Sequence, residues 1–162
     1  MSTTAPRATA DVQVLQDRLD IAANLSRYTY GCDTRDFDLL ASAFLPDAPI
    51  DYDSMPPYVR TFPQFLEFCQ NVLNQLAATQ HFVGNLDVTV DGDKAHCTSY
   101  VQATHVGHDG RMFVGAGRYD DDLVRTPGGW KIAARVFRRQ WGRDPDGLAK
   151  SLNVGQRASQ GV

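Results

Sequence analysis

Cysteine is scarce in this chain: Cys32, Cys69 and Cys97 are an odd three, with no CxxC spacing among them. That argues against a disulfide framework or a zinc cluster and leaves three thiols expected to be reduced and mostly buried. A run of about 18 apolar residues able to cross a membrane is also missing, and the N-terminal MSTTAPRATA has no apolar stretch to act as a secretory signal. The expected address is cytoplasmic. Charge of one sign is not in excess either, with 16 Lys+Arg against 19 Asp+Glu and a net charge of -3. A strong electrostatic attraction to nucleic acid or to an anionic membrane is therefore not expected, and a small molecule or another copy of the chain is the expected partner. GxGxxG, the P-loop, GxSxG and HExxH are all absent, so chemistry without a cofactor becomes the working expectation. His105 and His108 do form an HxxH, but residues three apart on a strand point to opposite faces, so no metal site is expected there.

What is present fits one domain: 162 residues, 43% hydrophobic and 22% charged, enough for a single sizeable core. Residues 1–10 are small and polar and are expected to be disordered. Val12, Leu15, Leu19, Ala22 and Ala23 then recur at helical spacing to about Tyr30, with Gly31 as a terminator and 31–36 as a link. Phe37, Leu40, Ala41 and Phe44 predict a second short helix that stops at Pro46. Pro46, Pro49, Pro56 and Pro57 leave room only for a short strand around 50–53. A third helix begins near Thr61, with Phe65, Phe68, Cys69, Val72, Leu73 and Leu76 on its apolar face.

From His81 the period becomes alternating, predicting strands at 81–91, 94–107, 111–125 and 129–141. They are joined by turns at Asp91-Gly92-Asp93, His108-Asp109-Gly110 and Pro127-Gly128-Gly129. Three N-terminal helices on a strongly curved, mostly antiparallel sheet is an α+β architecture with a cavity between the layers, a cone-shaped α+β barrel spanning 11–142. The tail 143–162 is read either as disordered or as a flap over the pocket mouth.

Within this frame the residues able to do chemistry are Tyr28, Tyr30 and Asp33 near the end of the first helix, Tyr52, His81 and His105. Ala95, Cys97, Val101, Ala103 and His105 share one strand face, which suits the inner wall of a cavity. A histidine there shuttles protons near neutral pH, and an aspartate on its other nitrogen fixes the tautomer. Structural roles stand beside these: Asp33 as a helix cap, His81 as a core histidine, Tyr52 as packing. Arg135, Arg138, Arg139 and Arg143 read as solvated or ion-paired rather than as a nucleic-acid surface.

Taken together, Cys32-Asp33-Thr34-Arg35-Asp36-Phe37-Asp38, Ile50-Asp51-Tyr52, Thr79-Gln80-His81-Phe82-Val83-Gly84, His105, Gly128-Gly129-Trp130-Lys131 and Trp141-Gly142 resemble the SnoaL-like branch of the nuclear-transport-factor-2-like superfamily, most closely its scytalone dehydratases. The resemblance covers Tyr28 to about Asp146. It implies a homo-oligomer, trimer or dimer, and a cofactor-independent lyase, a dehydratase of a cyclic or aromatic hydroxylated molecule. His81 would be the base, oriented by Asp33, with His105 protonating the leaving hydroxyl and Tyr52 polarising the substrate carbonyl. The resemblance also implies substrate contacts at Tyr119 and Asp121. Related bile-acid dehydratases and a dehydrochlorinase look similar in their Asp-His pair, and the bile-acid type points to Tyr28 and Arg139. Tyr30 and Trp141 complete the expected substrate-binding set. The same branch holds isomerases, cyclases and non-catalytic binding or assembly modules, so those readings stay open.

Overall fold

The computed structural model describes residues 7–52, 55, 59–152 and 154, with only the backbone described for 7–11. The chain order is α1 (Arg7–Thr34), α2 (Phe37–Ala41), β1 (Ile50–Tyr52), α3 (Phe62–Leu73), β2 (Leu76–Asp91), β3 (Lys94–Gly107), β4 (Met112–Thr126), β5 (Gly129–Arg143) and α4 (Leu148–Ser151). The five strands form one sheet in the order β1-β5-β4-β3-β2, antiparallel except for the parallel pair β1·β5. The sheet curls around the helices without closing. Register shifts at Gly84/Asp87 in β2, and at Ala116/Gly117 and Asp122/Leu123 between β4 and β5, supply local bends.

Helix α1 begins at Arg7, inside the segment expected to be disordered, and runs through Gly31 rather than ending there. The reason lies in packing: a Cβ on Gly31 would stand 2.4 Å from the backbone nitrogen of Leu40 in α2. This glycine serves close helix approach, and the predicted link shrinks to the turn around Arg35, whose φ of 62° is left-handed. The face that α1 buries also differs from the predicted stripe. Val12, Leu15 and Leu19 are exposed, whereas Asp17, Ile21, Asn24, Leu25, Tyr28 and Cys32 are buried. Two members of that face are polar, which hid it from a hydrophobic pattern, and both are satisfied. Asn24 donates to the carbonyl of Ala43 at 3.0 Å. Asp17 accepts from Arg125 Nη1 and Nη2 at 2.6 and 2.8 Å and from Trp130 Nε1 at 3.3 Å.

The N-cap of α2 is Asp36, whose carboxylate accepts the Leu39 N–H at 2.9 Å, so Asp33 is not needed as a cap. Gln64 accepts the backbone N–H of Thr61 at 3.2 Å at the start of α3. Leu76, expected on α3, instead opens β2, which starts five residues before His81. The core, including Leu40, Phe44, Ile132, Leu123 and Trp130, lies between α1, α2 and the sheet. On the outer sheet face Phe82, Tyr100, Met112 and Trp141 remain half exposed or more.

β5 extends to Arg143, and the chain then turns back so that buried Leu148 of α4 lies close to Gly107. No helix among the described residues is long and apolar enough to cross a membrane. The tail at 153 and 155–162 lies outside the described residues.

Candidate functional site

Between α1, α3 and the concave face of the sheet lies a cavity of about 350 Å³. Its walls are mostly apolar and aromatic, with Phe65 and Phe68 from α3, Phe113 from β4 and Phe137 from β5. Arg139, Arg143 and Lys150 are exposed lining residues and mark its mouth, and Ala149 and Val154 of the tail also line it. The described part of the tail therefore forms part of the wall.

Asp33 stands in the last turn of α1 and His81 on β2, and the two meet across 48 residues of sequence. Asp33 Oδ1 lies 2.6 Å from His81 Nδ1, and Asp33 Oδ2 accepts the His81 backbone N–H at 2.8 Å. Burial pushes the Asp33 carboxyl up, but the hydrogen bonds from His81 outweigh it and hold the group below the usual carboxylate range. An ionised Asp33 requires Nδ1 to be the protonated nitrogen of a neutral His81. The lone pair is then on Nε2, and His81 lines the cavity.

A clamp that the sequence reading assigned no role holds this pair. Arg35 donates from Nη1 to the carbonyls of Cys32 and Asp33 at 3.0 Å each and to Thr79 Oγ1 at 2.7 Å. Its Nε donates to the carbonyl of Leu73 at 3.0 Å. One guanidinium thus ties the end of α1 to the end of α3 and to β2 two residues before His81. An arginine just past a helix C-terminus, where carbonyls lack partners, was the readable signal.

His105 sits on β3 with its ring edge-on to His81 at 5.7 Å and stacked on Phe113 at 4.0 Å. Its Nδ1 is buried without a hydrogen-bond partner. Burial, reinforced by His81, lowers its pKa to about 3, so His105 is a neutral imidazole at physiological pH. His108 is exposed in the β3–β4 turn. No three His, Cys, Asp or Glu side chains among the described residues are grouped to hold a metal ion.

Of the expected aromatic residues, Tyr28 and Tyr52 line the cavity, as does Tyr119. Tyr28 Oη lies 3.0 Å from Tyr119 Oη and 3.5 Å from Tyr52 Oη. Burial raises the pKa of all three phenols, so they are protonated. Cys32 also lines the cavity, its thiol pushed up to about 12 by burial, and all three cysteines are free and buried.

Three expected contacts are corrected. Tyr30 is 65% exposed, because two residues along a helix from Tyr28 is the wrong face. Trp141 is 50% exposed and does not line the cavity: the extra residue Gln140, opposite the Ala116–Gly117 step, breaks the alternation that places Arg139 inward. Asp121 is fully buried away from the cavity lining, paired with Arg135, whose Nε and Nη2 donate to its two oxygens at 2.7 and 2.8 Å. Arg139, also expected as a substrate contact, is among the cavity's lining residues.

The family model of the SnoaL-like domain matches residues 13–136. An uncharacterised protein of Mycobacterium tuberculosis is 35% identical over 132 residues, covering 80% of this chain and 90% of that one. A solved structure from Novosphingobium aromaticivorans, of a protein proposed to be an aromatic ring hydroxylase, has 30% identity and a TM-score of 0.74, with 83% of this chain and 97% of that one covered. A second from the same organism, proposed to be a scytalone dehydratase, superposes with a TM-score of 0.73 over 83% of this chain and 91% of that one; at 22% identity it shows the fold alone. With the family match spanning most of the chain and the mycobacterial relative beside it, the chain belongs to the SnoaL-like domain family.

Proposed function

We propose that this protein is a cofactor-independent lyase that removes water from a cyclic or aromatic hydroxylated small molecule. The observation that carries the reading is the 2.6 Å contact between Asp33 and His81 at the wall of a largely apolar cavity. His81 Nε2 takes a proton from carbon, and the resulting imidazolium is stabilised by Asp33. The C–H electron pair becomes the new double bond, the C–O bond breaks, and the hydroxyl leaves as water with the proton returned by His81. His105, neutral at working pH, positions the departing oxygen with a hydrogen bond rather than acting as a charged acid. Tyr52 and Tyr28 donate to the oxygen on which negative charge develops. Aromatic walls suit a flat ring, and about 350 Å³ is small enough to select for one of modest size.

The neutrality of His105 is also the observation that favours a second reading, a proton-transfer isomerase, which needs the base and the oxygen-binding end but no leaving group. Mass spectrometry of the product separates the two, since only the lyase product has lost the mass of water. His81→Ala is expected to lower turnover roughly 10²- to 10⁴-fold. Unchanged turnover in that variant would remove both readings.

A further inference from the structure

Charge on the cavity wall is confined to one end. The phenols and thiols along the wall are kept protonated by burial, and His105 is neutral. The lining residues that carry full charge are Arg139, Arg143, Asp144 and Lys150, all from the end of β5 and the segment that follows it. Three of these four are cations, in a chain whose net charge is -3. Positive charge at the opening of an otherwise apolar cleft draws an anion to that opening.

Arg143 and Lys150 take no part in the chemistry at His81. Among the described residues neither forms an ion pair, whereas Arg60, Arg111, Arg118, Arg125, Arg135 and Arg138 each hold an aspartate. Both stand on anchored backbone. Arg143 is the last residue of β5 and pairs in register with Val114, itself a lining residue. Lys150 lies in α4, which buried Leu148 fixes against Gly107, and its backbone N–H donates to Asp144 Oδ2 at 3.3 Å. Arg139 adjoins them: a Cβ on Gly142 would fall 2.9 Å from its Cζ and closer still to Nη2, so the guanidinium lies over that glycine.

We propose that Arg143 and Lys150, beside Arg139, bind a carboxylate carried by the substrate at the end remote from His81. The walls behind them are too apolar to take an ionised group without a large desolvation cost, so the ring goes in and the anion stays at the opening. Asp144, whose Oδ1 is buried without a hydrogen-bond partner, opposes a second negative charge there and favours a monoanion. The substrate class is thereby narrowed to ring compounds with an acidic side chain. This deepens the lyase reading and rests on it for the reaction, since the anchored anion fixes which end of the molecule reaches His81.

Calorimetry tests this without turnover, comparing phenylacetate, phenylpropanoate and phenylbutanoate with their primary amides, which match them in shape but carry no charge. At low salt at least one acid is expected to bind the wild-type protein roughly tenfold tighter than its amide. Added salt should shrink that margin, and the imidazole signals of His81 should shift as the ring enters. Arg143→Gln and Lys150→Gln, at exposed positions, should each cut the margin about threefold and together remove most of it, with amide affinity unchanged. Equal affinity for every acid and its amide overturns the proposal. So does a margin that survives in the double variant, because the anion is then held elsewhere, or acid binding that leaves the His81 signals unmoved, because the acid then sits on the outer surface. Turnover unaffected by His81→Ala, with the preference for the acid intact, instead removes the lyase reading.

Discussion

Asp33 acts on His81 at two atoms, and the charge on its carboxylate decides which imidazole nitrogen can work as a base. Asp33→Asn is nearly isosteric, so the helix end should hold. The amide NH₂ can face Nδ1, however, and would then force the proton onto Nε2 and turn the lone pair away from the cavity. Nitrogen chemical shifts of the imidazole should show the Nδ1–H form in the wild type and the Nε2–H form in the variant, with turnover lowered about 10³-fold and little change in melting temperature. An unchanged tautomer, or a loss of activity that only tracks unfolding, would remove the orienting role. The pair was legible in sequence because a family pattern marked both residues, although nothing local to either one shows that they touch. Arg135 reads from sequence only as solvated or ion-paired, since its partner Asp121 and the ring of Tyr119 come from β4 and the second ring it covers, that of Tyr28, from α1.

At the scale of elements, the approach of α1 to α2 at Gly31 sets where Asp33 stands. A Cβ at this position would fall within 2.4–2.8 Å of three atoms of Leu40, two of them backbone. Gly31→Ala is therefore expected to destabilise the protein by about 1–3 kcal/mol, despite alanine's better helix propensity, and to lower turnover as the end of α1 shifts away from β2. Urea unfolding checks the first expectation, and a stabilised variant would show that the helices part without cost. The same position shows where propensity misleads: a glycine there predicts a helix stop, whereas a tertiary contact requires it. Val12, Leu15 and Leu19 misled in the opposite sense, forming an apolar stripe that the fold leaves outside while Asp17 and Asn24 are drawn in by Arg125, Trp130 and the carbonyl of Ala43. The long hairpins were readable because their turns carry their own chemistry, as at Gly92 and Gly110, both with positive φ. The curved sheet and its cavity were expected from three helices facing a long meander, but the places where the strands bend were not, because the register shifts at Gly84/Asp87, Ala116/Gly117 and Asp122/Leu123 leave no mark in alternation alone.

For the molecule as a whole, the cavity couples folding to pH through His105. Burial first, and then His81, hold this imidazole at about 3 against 6.5 when unperturbed, with Asp33 pulling weakly the other way. Between those values the unfolded chain binds a proton that the folded one does not, so stability falls as pH drops from 6.5 toward 3, with a slope approaching about 1.4 kcal/mol per pH unit. Asp17 acts in a separate window. Its carboxyl is lowered from 3.8 to about 2, first by its hydrogen bond with Arg125, so its contribution is complete above 3.8 and is lost progressively as pH falls from there through 2. Urea unfolding at pH 7, about 5.5 and about 4.5 should therefore show a steady loss of stability. His105→Phe, which keeps a ring against Phe113 but has no proton to bind, should flatten that part of the profile and leave the steeper loss below 3.8 in place. The same slope in both proteins would mean that His105 takes up its proton in the folded state, and a charged His105 would then be restored as the acid for the leaving group.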